Sequence, residues 1–177
     1  WLSHRVDRWA HTARHPLFWV GSREMAGVSI GLTAWAFMTG VAMVKSGMSI
    51  TESVLMSLLV FAGSAQLAAI PLMAAGAPLW VVLAAAFCVN LRFVVFSLHL
   101  RPYFMHLRRS SRLYLGYFTG DVTYVLFTRR FPRPPETNGQ RRAQMAYLWG
   151  GNVTNWVFWQ SLSMLGIFLG AALPSRW

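Results

Sequence analysis

The chain has 177 residues, of which 55% are hydrophobic and only 12% charged, far below the roughly 25% charged residues of a soluble domain. Its formal net charge of +11 would suit nucleic acid, yet the cations gather between apolar segments instead of covering one face, which excludes that class. A single cysteine, Cys88, excludes an intramolecular disulfide or a cysteine metal cluster. The class left is an all-α integral membrane protein.

Residues 1–25 read as a basic interfacial segment carrying Arg5, Arg8, Arg14 and Arg23, with no short apolar core and cleavage site of a signal peptide. Residues 26–173 read as the transmembrane domain. A crossing helix needs about 20 apolar residues, and five hydrophobic segments are candidates. Ala26 to Val44 is the first, Ser53 to Ala75 the second, and Ala77 to Leu100, which contains Arg92, the third. The fourth, Leu113 to Thr128, is short and holds Asp121. The fifth, Ala143 to Leu173, is free of charge and as one straight helix would reach about 46 Å. It is expected to tilt, to break at Gly150-Gly151, or to lie partly outside the membrane. The pairs Gly27/Gly31, Gly116/Gly120 and Gly166/Gly170 have the four-residue spacing that lets helices approach closely in lipid.

If each segment crosses once, the cluster Arg101, Arg108, Arg109, Arg112 and the cluster Arg129, Arg130, Arg133, Arg141, Arg142 face opposite sides. Cytoplasmic loops prefer Lys and Arg, so both clusters belong on one side. Making Leu113 to Thr128 re-entrant or broken achieves this. Bringing the first cluster to the same side requires a second irregular segment, and Ser53 to Ala75, with Gly63 and Pro71, is the natural choice. Irregular backbone at membrane depth is tolerated only against protein or a water-filled cavity. Transporters have such elements, and simple anchors do not.

The stretch from Phe61 to Arg101 sets polar groups among Leu, Val, Ala, Ile, Phe and Met. A central Arg costs about 2.5–3.5 kcal/mol there, so Arg92 is either a carboxylate ligand or the ion-pair partner of Asp121. Asn90 and Arg92 point about 200° apart on a regular helix; both line one site only if the helix unwinds between them. Arg92, Phe96 and His99 share a face, and His99 is either a proton relay or an interfacial histidine. Ser64 and Gln66 follow Gly63, where a helix break would expose backbone groups to a zwitterion, or they simply bond neighbouring helices. Asn152, Asn155 and Trp159 share a face beside Gly150-Gly151 and either line a pathway or pack. The candidate substrate-binding set is therefore Ser64, Gln66, Asn90, Arg92, Asp121, Asn152 and Asn155. No metal site and no cofactor is expected. An intramembrane Ser64/His99 protease dyad is a weak alternative, since no oxyanion donor accompanies it; an accessory membrane subunit without its own pathway is another.

The blocks V-F-A-G-S-A-Q-L at Val60 to Leu67 and G-M-S-I-T-E-S at Gly47 to Ser53 resemble the AzlC family of branched-chain amino acid permeases. A-A-G-A-P-L-W at Ala74 to Trp80, V-N-L-R at Val89 to Arg92 and S-L-H-L-R-P at Ser97 to Pro102 continue the resemblance, which covers about Gly21 to Leu173. It implies the large subunit of a two-component exporter of leucine, isoleucine, valine and related amino acids in a bacterial inner membrane. The implied transport is proton-coupled and the implied partner is a small hydrophobic AzlD-type subunit; the loop cations, for their part, point to anionic lipids and to no nucleic acid. Members extend beyond this chain's end, so further C-terminal spans are expected. The sequence departs from the family pattern at Phe93, at Ala34, and at Thr119-Gly120-Asp121, where one carboxylate is lost.

Overall fold

The structure, a computed structural model, describes residues 12–173, so the expected interfacial segment 1–25 lies partly outside the described residues. The helices in chain order are α1 (Pro16–Lys45), α2 (Ile50–Leu59), α3 (Gly63–Ala74), α4 (Leu79–Phe104), α5 (Arg109–Phe118), α6 (Asp121–Arg130) and α7 (Asn138–Ala172). No strand occurs among the described residues. Of these helices, α1 and α4 are long and apolar enough to cross a membrane. Among the described residues the packing divides into two units, one of residues 12–30 with 98–157 and the other of residues 31–97 with 158–173.

In the second unit, α1 ends in a Schellman motif. Met48 N–H donates to the Met43 carbonyl and Gly47 N–H to that of Val44, with Gly47 at φ 94°. Ser49 then caps α2, its hydroxyl accepting the Glu52 amide while the Glu52 carboxylate accepts the Ser49 amide. The helix stops at Leu59, and Val60, Phe61 and Ala62 are non-helical before α3 resumes at Gly63. A second Schellman turn closes α3, with Ala77 N–H on Leu72, Gly76 N–H on Met73, and Gly76 at φ 68°. Met43, Ile70 and Ile167 form one buried cluster, with Met48 and Val54 against it. The start of α2 and the end of α3 therefore both lie at the C-terminal end of α1. The arms, of 10 and 12 residues, reach only about 15–18 Å each. The expected irregular segment is thus a helical hairpin broken at its tip. Pro71, by contrast, sits inside α3 without ending it.

The first unit repeats the device. Helix α5 ends at Phe118, Thr119 and Gly120 are non-helical, and α6 begins at Asp121. The Tyr103 hydroxyl donates to the Phe131 carbonyl at 2.9 Å, so the chain leaves and rejoins the C-terminal end of α4. Leu100, Tyr103, Phe104, Leu115, Phe127, Tyr147 and Leu148 form the core that holds it. Arg14 and Arg23 of the first basic cluster and all of the other two belong to this unit, and Arg130 pairs with Glu24 at 3.3 Å. Helix α1 begins ten residues before the expected Ala26. It can continue through Glu24 because that carboxylate is bonded by both Arg130 and the Tyr147 hydroxyl.

Helix α7 runs without a break through Gly150-Gly151, so of the three alternatives for this long segment the break is the one that does not occur. Those glycines serve close contact instead: a Cβ on Gly150 would stand 2.0 Å from the Phe18 carbonyl oxygen, and one on Gly21 would stand 2.2 Å from that of Tyr147. In the second unit, a Cβ on Gly40 or on Gly166 would come within 2.1 Å of the Ser163 or the Phe37 carbonyl oxygen. Of the three spaced glycine pairs, only Gly166/Gly170 marks a helix contact. Gly27, Gly31 and Gly116 meet nothing within 4 Å.

Candidate functional site

Each hairpin tip gathers polar side chains that an apolar core would exclude. In the second unit, Ala62 is the N-cap of α3 and offers no side-chain acceptor. The amides of the first turn, Gly63 to Ala65, therefore keep their positive partial charge at a half-helix N-terminus. Arg92 of α4 donates its Nη2–H to the Ser64 hydroxyl in that same turn. A guanidinium and a helix N-terminus thus superpose their positive potentials at one point. Gln66, fully buried, donates Nε2–H to the Met56 carbonyl of the other arm at 3.2 Å. Its Oε1 has no hydrogen-bond partner among the described residues.

Helix α4 is regular through Asn90 and Arg92, so the unwinding that would bring both to one site does not occur. The two point about 200° apart, and Asn90 Oδ1 is buried without a hydrogen bond among the described residues. His99 lies in the first unit, with Nδ1 2.6 Å from the Tyr124 hydroxyl.

Trp159 was legible as one of three residues on a face of α7, yet its seat was not. Its indole lies on Gly63, where a Cβ would stand 2.3 Å from Cη2, with Trp35 and Phe61 edge-on to it. The indole Nε1 is buried and unbonded among the described residues. Below it, Ser57 donates to Gln160 Oε1 at 2.7 Å while Gln160 Nε2–H donates to the Ser57 carbonyl at 2.8 Å; Ser163 adds a contact at 3.1 Å. Sequence reasoning missed this cluster. The signal was available as Ser53 and Ser57, four apart in an apolar segment and both buried.

In the first unit, the Thr119 hydroxyl caps the Leu115 carbonyl at 2.7 Å and accepts from Asn152 Nδ2 at 3.1 Å. Asn152 is fully buried, with Oδ1 unbonded among the described residues. Asn155 faces Gly120, its Nδ2 3.2 Å from where a Cβ would be. Asp121 opens α6 as the first residue of a half-helix, where its charge meets the favourable end of the dipole. Arg92 belongs to the second unit and Asp121 to the first.

Both units hide polar residues and expose apolar ones. Ser29, Thr39, Ser53, Ser57, Gln66, Asn152 and Ser163 are at most 1% exposed, whereas Leu83, Phe87, Leu91, Val94, Val95 and Leu98 of α4 lie open. A surface of that kind belongs in hydrocarbon, with hydrogen-bonding groups satisfied inside. Residues 27–173 match the AzlC protein family.

The chain belongs to the AzlC family.

It is accordingly an all-helical integral membrane protein of a permease-like family. It is similar to the inner membrane protein YgaZ of Escherichia coli (strain K12), with 25% identity over 157 residues. That match takes in 88% of this chain and 62% of YgaZ, so the chain spans less than two thirds of this relative's length. No solved structure matches. The family match, over residues 27–173, covers both hairpin tips and every candidate residue read from the AzlC motifs.

Proposed function

We propose that this AzlC protein is a multi-pass secondary transporter of the bacterial inner membrane, not an enzyme. Its cargo is branched-chain and related apolar amino acids, exported by alternating access and coupled to protons. The AzlC resemblance supplies the direction and cargo class, and a small AzlD-type membrane subunit is the proposed partner. With two re-entrant hairpins, α1, α4 and α7 are left to cross, which would put the three basic clusters on the cytoplasmic side with anionic lipid.

The observation that carries the reading is the guanidinium of Arg92 delivered to an uncapped half-helix N-terminus at Ser64. A carboxylate is the group that such a place favours, as in other transporters with discontinuous helices. Gln66 Oε1, buried and unbonded among the described residues, accepts the ammonium. Trp159, Trp35 and Phe61 supply an apolar wall. Each buried methylene contributes about 0.8 kcal/mol, so a dry pocket would favour leucine over alanine by roughly 2 kcal/mol. Asn90, with its unbonded amide oxygen, is proposed as an outlying contact. Asp121, Asn152 and Asn155 are proposed as a second polar station at the α5–α6 tip, with Asp121 its carboxylate.

Counterflow of labelled leucine in proteoliposomes tests this, with the small subunit present or absent and a pH gradient imposed. Wild type with its partner should exchange leucine, and Arg92→Ala should abolish exchange while still inserting. Undiminished exchange by Arg92→Ala would remove the site from the mechanism. Absence of any exchange by the wild-type pair would point to an accessory subunit.

A further inference from the structure

On the basic end of the first unit, a groove of about 800 Å³ is lined by His15, His106, Leu107, Arg141, Arg142 and Met145, with Thr12 and Asn138 at its edge. Three distant stretches build it: the residues before α1, the α4–α5 linker, and the first two turns of α7. Two guanidiniums and two imidazoles converge there, and none of its described lining residues is a carboxylate. Arg142 makes no hydrogen bond or ion pair with a described residue. Arg141 reaches only the neutral Asn138 amide oxygen, at 3.4 Å.

The histidines add donors. His15 Nδ1 accepts the Leu17 amide at 3.2 Å, which leaves the proton of its neutral ring on Nε2. Burial, and then the charge of Arg141, pushes His106 below its ordinary value. Cationic side chains drawn together, with no compensating anion among the described residues, repel one another. Leu107 and Met145 give the same groove an apolar flank.

We propose that this groove binds a phosphate-bearing anion, the charged head held by Arg141, Arg142 and the imidazoles and any attached apolar group by Leu107 and Met145. The phosphate can arrive on an anionic lipid or free in solution. The site is separate from the proposed transport site and does not depend on it.

Native mass spectrometry of the purified chain, equilibrated with equal amounts of phosphatidylglycerol and phosphatidylcholine, reads the site directly. Wild type should retain phosphatidylglycerol selectively. Arg141→Ala with Arg142→Ala should weaken that retention about thirtyfold, the weight of two arginines beside an anionic head group. Arg108→Ala with Arg109→Ala removes equal charge outside the groove and should leave retention unchanged. The charge-preserving pair Arg141→Lys with Arg142→Lys should keep most of it, which separates binding from misfolding. Displacement of the lipid by inorganic phosphate would support a soluble source, and resistance to displacement a lipid one. Equal loss in both alanine pairs, or equal retention of phosphatidylcholine, would overturn the proposal.

Discussion

Gly63 is glycine because an indole occupies the space where any other residue would place its Cβ. Gly63→Ala must push Trp159 away from the half-helix N-terminus, at a cost of about 1–3 kcal/mol for overpacking. The expected result is a protein that inserts and yet exchanges leucine poorly, read by counterflow beside a melting curve; unaltered exchange would show that the ring's seat is irrelevant. The sequence disclosed that Gly63, Ser64 and Arg92 were unusual, because polar and small residues stand out in an apolar run. It did not disclose Trp159 as the neighbour of Gly63, since helical spacing says which face a residue occupies and nothing of what meets it. A second residue-scale outcome concerns His106. Burial and Arg141 favour its neutral form in the fold. The stability linked to it is therefore present above its unfolded value near pH 6.5 and is lost as pH falls through the depressed folded value. Melting temperature should drop on going from about pH 7.5 to about pH 5, and His106→Gln should flatten that dependence.

At the scale of elements, the α1–α7 crossing depends on backbones meeting where Cβ atoms are missing. Gly40→Ala and Gly166→Ala each drive a methyl against a carbonyl oxygen that cannot swing aside. Each should cost about 1–3 kcal/mol, or about 2–4 °C of melting temperature per kcal/mol. Gly27→Ala, placed in open space, should be neutral or stabilising, because alanine is the better helix former. Equal losses at all three positions would deny the crossing its special role. Here the sequence was a partial guide. Four-residue spacing found Gly166 and Gly170 but also flagged Gly27, Gly31 and Gly116, where an added Cβ would meet nothing within 4 Å. It passed over Gly21, Gly40 and Gly150, whose partners lie more than 100 residues away. The two breaks were more legible, since charge bookkeeping demanded an irregular element in each of two segments, and each segment carries a glycine where its second arm begins or just before it.

For the molecule as a whole, the described arginines of three clusters that a simple serpentine path would scatter fall into one packing unit. The proposed crossings by α1, α4 and α7 put them on one side. In a Cys88→Ala background, Arg14→Cys, Arg108→Cys and Gly139→Cys should all react with a membrane-impermeant maleimide from the cytoplasmic side alone. Labelling of any one from the opposite side would break this topology. The class, the helical fold and the two irregular segments could be read from composition and charge order. The straight continuity of α7 could not, because Gly150-Gly151 signals flexibility in isolation and close contact once Phe18 is beside it.

The contact between Arg92 and Ser64 has a consequence for turnover. The Nη2–H of the guanidinium that reaches the half-helix N-terminus is already engaged by the hydroxyl, so on the proposed reading an arriving carboxylate competes there with a resident occupant. Loading then trades one bond for another, and the gain is modest. For a carrier that must let go on the far side, weak holding is useful. Ser64→Ala should therefore grip leucine more tightly and release it more slowly, a loss of speed caused by gained affinity.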